Sequence, residues 1–196
     1  MSEANLDAKY IQMTQTPVES LICRLAVPTI ISNLITTFYN MADTFFIGKI
    51  STSASGAVGI AFAVMAAIQA VGFFFGQGSG NNISRLLGRQ ETDKAERLAA
   101  VGFYSALIGG ALIAATGLIF LKPLCILLGS TETILPYAMD YLKFILIGAP
   151  YMAASLVLNN QLRFEGSAFY GMIGLTTGAL INIVLDPILI FGFNMG

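Results

Sequence analysis

The chain has 196 residues, with 10 Lys+Arg, 11 Asp+Glu, no His and a formal net charge of −1. Hydrophobic residues make up 56% and charged residues 11%, against roughly 25% charged in an ordinary soluble domain. A water-soluble globule and a disordered chain are both excluded by that balance. The lack of a long basic run argues against a nucleic-acid partner. Without His there is no His-based acid/base or metal centre. Cys23 and Cys125 form no CxxC pair and read as apolar packing residues.

Residues 1–16 are polar and carry Glu3 and Asp7, unlike the basic start of a signal peptide. Residues 1–20 are expected to be a cytoplasmic segment and 21–196 a transmembrane bundle. Charge-free runs mark the spans. Only Asp43 interrupts the stretch between Arg24 and Lys49; 35 uncharged residues lie between Lys49 and Arg85, 24 between Arg97 and Lys122, 19 between Lys143 and Arg163, and 20 between Glu165 and Asp186. A helix needs roughly 20 apolar residues to cross a bilayer. The prediction is therefore an all-α, polytopic membrane helix bundle with spans at about 24–48, 54–80, 98–121, 139–162 and 168–193. Strands are not expected, because period-2 alternation is absent and hydrocarbon demands internally satisfied backbone. Between spans, Ser51–Gly56 reads as a turn, Ser84–Arg97 as a charged loop and Lys122–Glu132 as an interfacial segment.

Lys and Arg set the expected orientation. One side would hold Lys9, Arg24, Arg85, Arg89, Lys94, Arg97 and Arg163, and the other Lys49, Lys122 and Lys143. The excess places the N-terminus in the cytoplasm. Gly72, Gly76 and Gly80, then Gly102, Ala106 and Gly110, then Gly174 and Gly178 recur every fourth residue. Such small-residue rows are expected where helix backbones approach closely in lipid. The GQGSG stretch at 76–80 does not match GxGxxG and follows no strand, so it is not a phosphate loop.

Asp43 and Asp186 break the rule that charge sits at span boundaries. A carboxylate within a span costs a few kcal/mol or more unless paired, hydrated or protonated, roughly 3 by insertion scales. With the N-terminus inside, the first and fifth spans both run outward, and both acids fall in the outer half at similar depth, able to line one chamber. Asn33, Thr36, Asn40 and Asp43 lie three or four residues apart on the first span, with Tyr39 four before Asp43. On the fifth, Gly174, Gly178, Asn182 and Asp186 follow one row, so the Asn182 amide can support Asp186. Pro187 is expected to bend that helix and free the carbonyl of Ile183. Carboxylates, an amide oxygen and a carbonyl suit sodium; the same acids can instead take up and release a proton. Hydrogen-bonded polar residues that only fix helix register are the plainer alternative. Asn159 and Asn160 read equally as substrate contacts or as helix-end caps near Arg163.

Together these residues resemble the MATE (multidrug and toxic compound extrusion) family, particularly its DinF-like branch. The resemblance rests on PTIISNLITTFYNMADTFFIG (28–48), GQGSGNNISRLLGRQETDKA (76–95), TETILPYAMDYLKFILIGAP (131–150), NNQLRFEGSAFYGMIG (159–174) and NIVLDPILIF (182–191). It implies a multi-pass plasma (inner) membrane antiporter, not an enzyme, that exports amphipathic, often cationic drugs or metabolites. It implies no cofactor beyond a coupling ion, H+ or Na+. The ion site falls on Asp43, Asn182 and Asp186, with Tyr39 beside Asp43; these three would be the sodium ligands if sodium is the ion. Thr36, Asn40, Asn159 and Asn160 fall to the substrate cavity. A twelve-helix relative has two six-helix bundles, so the chain is expected to be an incomplete N-terminal half. Its partners would be the bilayer, the cargo and the missing C-terminal half, and it would not be competent alone. Other readings are a flippase for lipid-linked or polysaccharide precursors, or a non-transporting membrane scaffold.

Overall fold

The computed structural model describes residues 10–11, 13–48 and 52–188. Among these, no strand occurs. Six helices follow one another: α1 (Val18–Gly48), α2 (Thr52–Gly88), α3 (Thr92–Ile119), α4 (Leu121–Leu127), α5 (Leu135–Phe164) and α6 (Ala168–Pro187), preceded by a helical stretch around residues 13–15. All but α4 are long and apolar enough to cross a membrane. Exposed apolar side chains run the length of the bundle, from Phe38 on α1 and Phe74 on α2 to Phe144 on α5 and Val184 on α6. In water that surface would drive association; in a bilayer it is the solvated face.

Helices α2, α3 and α5 form the tightest unit, and α1 packs chiefly on α6. The glycine rows explain the close trio. A Cβ on Gly72 would meet Leu156, one on Gly76 would meet Asn160, and one on Gly80 would strike the Phe164 ring, so α2 and α5 run parallel in one-to-one register. On α3, Gly102 faces Ser79 and Gln161, Gly110 faces Ala149 and Pro150, and Gly117 faces Leu146, so α3 is antiparallel to both. Ala61, Ile68, Ala106, Leu142, Leu146, Ala153 and Val157 are buried between the three. The small-residue expectation fails at Gly174 and Gly178. Both are exposed, with nothing within 4 Å of a would-be Cβ.

Turns are tighter than the charge pattern predicts. Helix α2 continues past Gly80 to Gly88 because Ile83 is buried and no proline intervenes. Ala95 is buried in turn, so α3 starts early, at Thr92. The expected loop over Ser84–Arg97 shrinks to Arg89–Glu91. There Glu91 N–H donates to the Leu86 carbonyl and Gln90 N–H to that of Leu87, with Gln90 at φ 60°. This is the Schellman closure, which favours glycine at the left-handed position. The same closure ends α4 at Gly129 (φ 95°) and α5 at Gly166 (φ 78°). Glu91 also pairs with Lys94 at 2.6 Å. The hydrogen bond from Lys94 holds the Glu91 carboxyl below its ordinary range. Its small, solvent-screened contribution is present at neutral pH and lost as pH falls through that lowered value.

Pro28 and Pro150 sit inside helices that continue through them. At Pro150 the absent side chain of Gly110 makes the room: a Cβ there would lie 2.7 Å from Pro150 Cα. The segment expected at the interface includes α4, which buries Cys125 against the trio; that burial pushes the thiol pKa up.

Two stability outcomes follow. Gly110→Val, which drives a side chain into α5 backbone, is expected to cost about 1–3 kcal/mol and lower the melting midpoint in detergent, while Gly148→Ala, with open space around it, leaves it nearly unchanged. Gln90→Gly is expected to raise stability by about 1 kcal/mol by removing a left-handed side chain, read in the same melting assay.

Candidate cation and substrate site

The site is assembled from helix direction. Helix α5 turns at Gly166 into an antiparallel α6, and Gly48 approaches Ser55 where α1 gives way to α2. Since α2 and α5 are parallel, α1 and α6 are parallel too, and they pack on one another. Their C-terminal ends therefore lie at the same end of the bundle. Asp43 stands five residues before the end of α1, and Asp186 is the penultimate residue of α6.

Both acids occur at helical spacing from less exposed positions on their helices. On α1 the less exposed positions include Pro28, Ser32, Ile35, Thr36 and Tyr39, and Asp43 follows Tyr39 at the helical spacing. On α6 they include Gly171, Leu175, Ala179 and Asn182, and Asp186 follows Asn182 at the helical spacing. The side chains of Asp43 and Asp186 themselves lie outside the described residues. Asn182 is half-buried, with Oδ1 shielded from solvent. Tyr39, Thr36 and Asn40 are half-buried, whereas Asn33, counted on the same sequence row, is exposed. Helix α6 is described as far as Pro187, with Ile188 N–H donating to the Leu185 carbonyl; a bend beyond it lies outside the described residues. Among the described residues no three His, Cys, Asp or Glu side chains converge on one point.

Several hydroxyls of α1 are committed to their own helix. Thr29 donates to Leu25 O (2.9 Å), Ser32 to Pro28 O (2.8 Å), Thr37 to Asn33 O (2.9 Å) and Thr44 to Asn40 O (2.8 Å). Such back-bonding satisfies the hydroxyl in hydrocarbon and tends to bend the helix. The carbonyl of Arg24, four residues before Pro28, receives no intrahelical N–H from the proline.

The two asparagines of α5 separate. Asn159 Nδ2 donates to Gly171 O across to α6 at 3.1 Å, and a Cβ on Gly171 would lie 3.0 Å from that nitrogen. Asn159 thus ties the trio to the α1–α6 pair. Asn160 is 6% exposed, bonds Leu156 O at 2.8 Å and packs under Gly76, so it sits in the α2–α5 interface rather than on an open wall.

A polar junction escaped the sequence reading. Gln161, 4% exposed, donates from Nε2 to Ser79 Oγ and to Ala99 O, both at 3.1 Å, and Ser79 donates to Phe75 O at 2.7 Å. One amide thereby joins α5, α2 and α3. Gly102 makes it possible, since a Cβ there would lie 2.7 Å from Ser79 Oγ. The available signal was the Ser between Gly76 and Gly80, opposite a glycine row on the next helix. A separate apolar groove of about 400 Å³ opens between α2, α3, α4 and α5, lined by Ala63, Val64, Thr116, Phe120, Leu124 and Leu146 among others. It includes none of the expected site residues.

Comparison with known proteins extends this geometry. The sequence model of the MatE family matches residues 28–188. A FAD transporter of Shewanella oneidensis is 32% identical over 182 residues, covering 93% of this chain and 40% of its own length. Multidrug export protein MepA of Staphylococcus haemolyticus is 30% identical over 190 residues, covering 96% of this chain and 42% of its own. A multidrug resistance MATE family transporter of the MOP superfamily, solved in an outward-facing conformation, superposes with a TM-score of 0.87 at 30% identity, over 93% of this chain and 41% of that one. The chain thus spans about two fifths of the length of these relatives.

Gln161→Leu removes one donor from two acceptors in the trio and is expected to cost roughly 1–3 kcal/mol of stability. Asn159→Leu is expected to loosen α6 specifically. The check is hydrogen exchange, which should rise over α1 and α6 while α2 and α3 stay protected.

Proposed function

The chain belongs to the MatE family, and on that premise we propose that it forms part of a cation-coupled exporter of amphipathic, often cationic small molecules. It is a multi-pass membrane protein; in our reading it lies in the plasma membrane with its N-terminus in the cytoplasm. The observation that supports the reading is the parallel α1–α6 pair, with Asp43 and Asp186 near the same end of the two helices.

In this mechanism Asp43 and Asp186 load one cation, a proton or sodium, and the shielded Asn182 Oδ1 adds a neutral oxygen donor to the sodium form. Two carboxylates brought together in hydrocarbon repel unless a positive charge joins them. Loading therefore draws α1 toward α6, and release lets them part. Tyr39, one turn before Asp43, follows α1 in that movement, and Thr36 and Asn40 present the same helix to cargo. Asn159 passes the shift to α5 through the Gly171 carbonyl. The trio, locked by Gln161, serves as the frame. The remainder of the relatives' length supplies the facing wall, so this portion alone does not transport. A flippase for anionic headgroups is disfavoured, because α6 has no Lys or Arg and α1 has only Arg24, near its start.

Ion loading is testable on the chain itself. In nanodiscs, sodium at constant ionic strength, or alternatively a change of pH, is expected to raise the melting midpoint, with about 2.7 kcal/mol of stabilisation at a hundredfold excess over Kd. Asp43→Asn and Asp186→Asn should each abolish the response. In everted vesicles the chain alone should give no efflux. Joined in frame to the C-terminal part of MepA, it should give cation-driven ethidium efflux that Asp186→Asn eliminates. Undiminished efflux from that variant would overturn the mechanism.

A further inference from the structure

The chain ahead of α1 is seated on the turn between α5 and α6. Residues 10–11 and 13–15 are helical, and the Thr14 hydroxyl donates to Tyr10 O at 2.7 Å, four residues back. Thr16 breaks this stretch, because the residue before a proline is driven away from the helical region. Pro17 then opens a new ladder, with Leu21 N–H donating to Pro17 O at 3.0 Å. The chain is re-aimed there, just before α1 begins at Val18. Tyr10 and Met13, three residues apart, share the half-buried face of the stretch, while Ile11, Thr14 and Gln15 are exposed.

Met13 has a specific seat. A Cβ on Gly166 would lie 2.7 Å from Met13 Sδ and 3.4 Å from its Cγ. Gly166 closes α5 at φ 78°, where glycine is favoured, so its missing side chain serves twice. It permits the turn, and it leaves the notch that the thioether fills. Gly129 makes the same closure after α4 at φ 95°, yet nothing lies within 4 Å of its would-be Cβ. The closure therefore does not by itself bring a neighbour. A flexible, polarizable methionine suits such a narrow gap.

Position gives the contact its meaning. Helices α1 and α6 both start at the end where α5 turns, opposite the end that carries Asp43 and Asp186. Helix α1 packs chiefly on α6 rather than on the trio. Met13 reaches from the start of α1 to the turn that ends α5, and so links α1 to a member of the trio. We propose that residues 10–15 are a strap that pins the start of α1 to the α5–α6 turn through Met13 in the Gly166 notch. Its consequence for transport, that α1 moves at the acid end about a held start, rests on the ion loading proposed above. The pinning itself does not.

The test is hydrogen exchange of the full chain in nanodiscs, read peptide by peptide without added sodium or cargo, so failure of the ion mechanism leaves it untouched. Met13→Ser is expected to speed exchange roughly fivefold over residues 13–25 and 164–172, as loss of a half-buried Met side chain implies. Helices α2 and α3 should keep their protection. Met13→Leu, which conserves volume, should exchange like the unaltered chain. Gly166→Asn fills the notch with a residue that tolerates the left-handed region, and should match Met13→Ser. Ile11→Ser asks whether the bilayer, rather than the turn, holds the stretch; it should change nothing. Unaltered exchange in Met13→Ser overturns the strap, as does release by Ile11→Ser. Exchange raised equally across α2 and α3 in Met13→Ser also overturns it, because that reports a general loss of packing.

Discussion

Helices in lipid gain little by hiding apolar side chains from one another, because the surrounding tails are equally apolar. What holds this bundle is the approach of backbones at positions without side chains. Gly72, Gly76 and Gly80 receive Leu156, Asn160 and Phe164, and Gly102, Gly110 and Gly117 receive Ser79, the Pro150 backbone and Leu146. Dispersion at such contacts is individually small and collectively large. Where two helices come this close, a polar group between them finds no water and must be satisfied by protein, and Gln161 is placed to do that for both neighbours.

The consequence is an uneven molecule. The trio is cross-braced by glycine contacts and one shared amide, while α1 and α6 rest chiefly on each other and reach the trio through few links, Asn159 among them. Glycines on α6 that resemble those of the trio face open space. The acids sit on this more loosely attached pair. A functional charge placed in the rigid part would be fixed at one separation; on the pair, its environment can change while the frame stays still.

Much of this was legible in the order of residues. Charge-free runs located five spans because a helix cannot bury many charges in hydrocarbon, and the two exceptions, Asp43 and Asp186, stood out for the same reason. The bounds were less legible. Charge marks where hydrocarbon ends, not where hydrogen bonding ends, so α2 and α3 run through the charged stretch to a turn at Gln90. Glycine spacing identified the trio's contacts but misread α6, since period alone does not say whether a neighbour is present. The Gln161 junction was hidden because its three members come from distant parts of the chain, and one of them, at Ala99, is a backbone carbonyl, invisible to residue type. Asn159 and Asn160, adjacent in sequence, point to different helices, a distinction that a hundred-degree step makes and a motif does not.

Parity gives the parallel α1–α6 pair a last implication. An odd number of crossings leaves the start of α1 and the end of α6 on opposite faces of the membrane. Any polypeptide that continues from α6 sets out from the far side, so a second unit inserted in the same sense needs one additional traverse before it begins. Without that traverse the next unit would enter upside down.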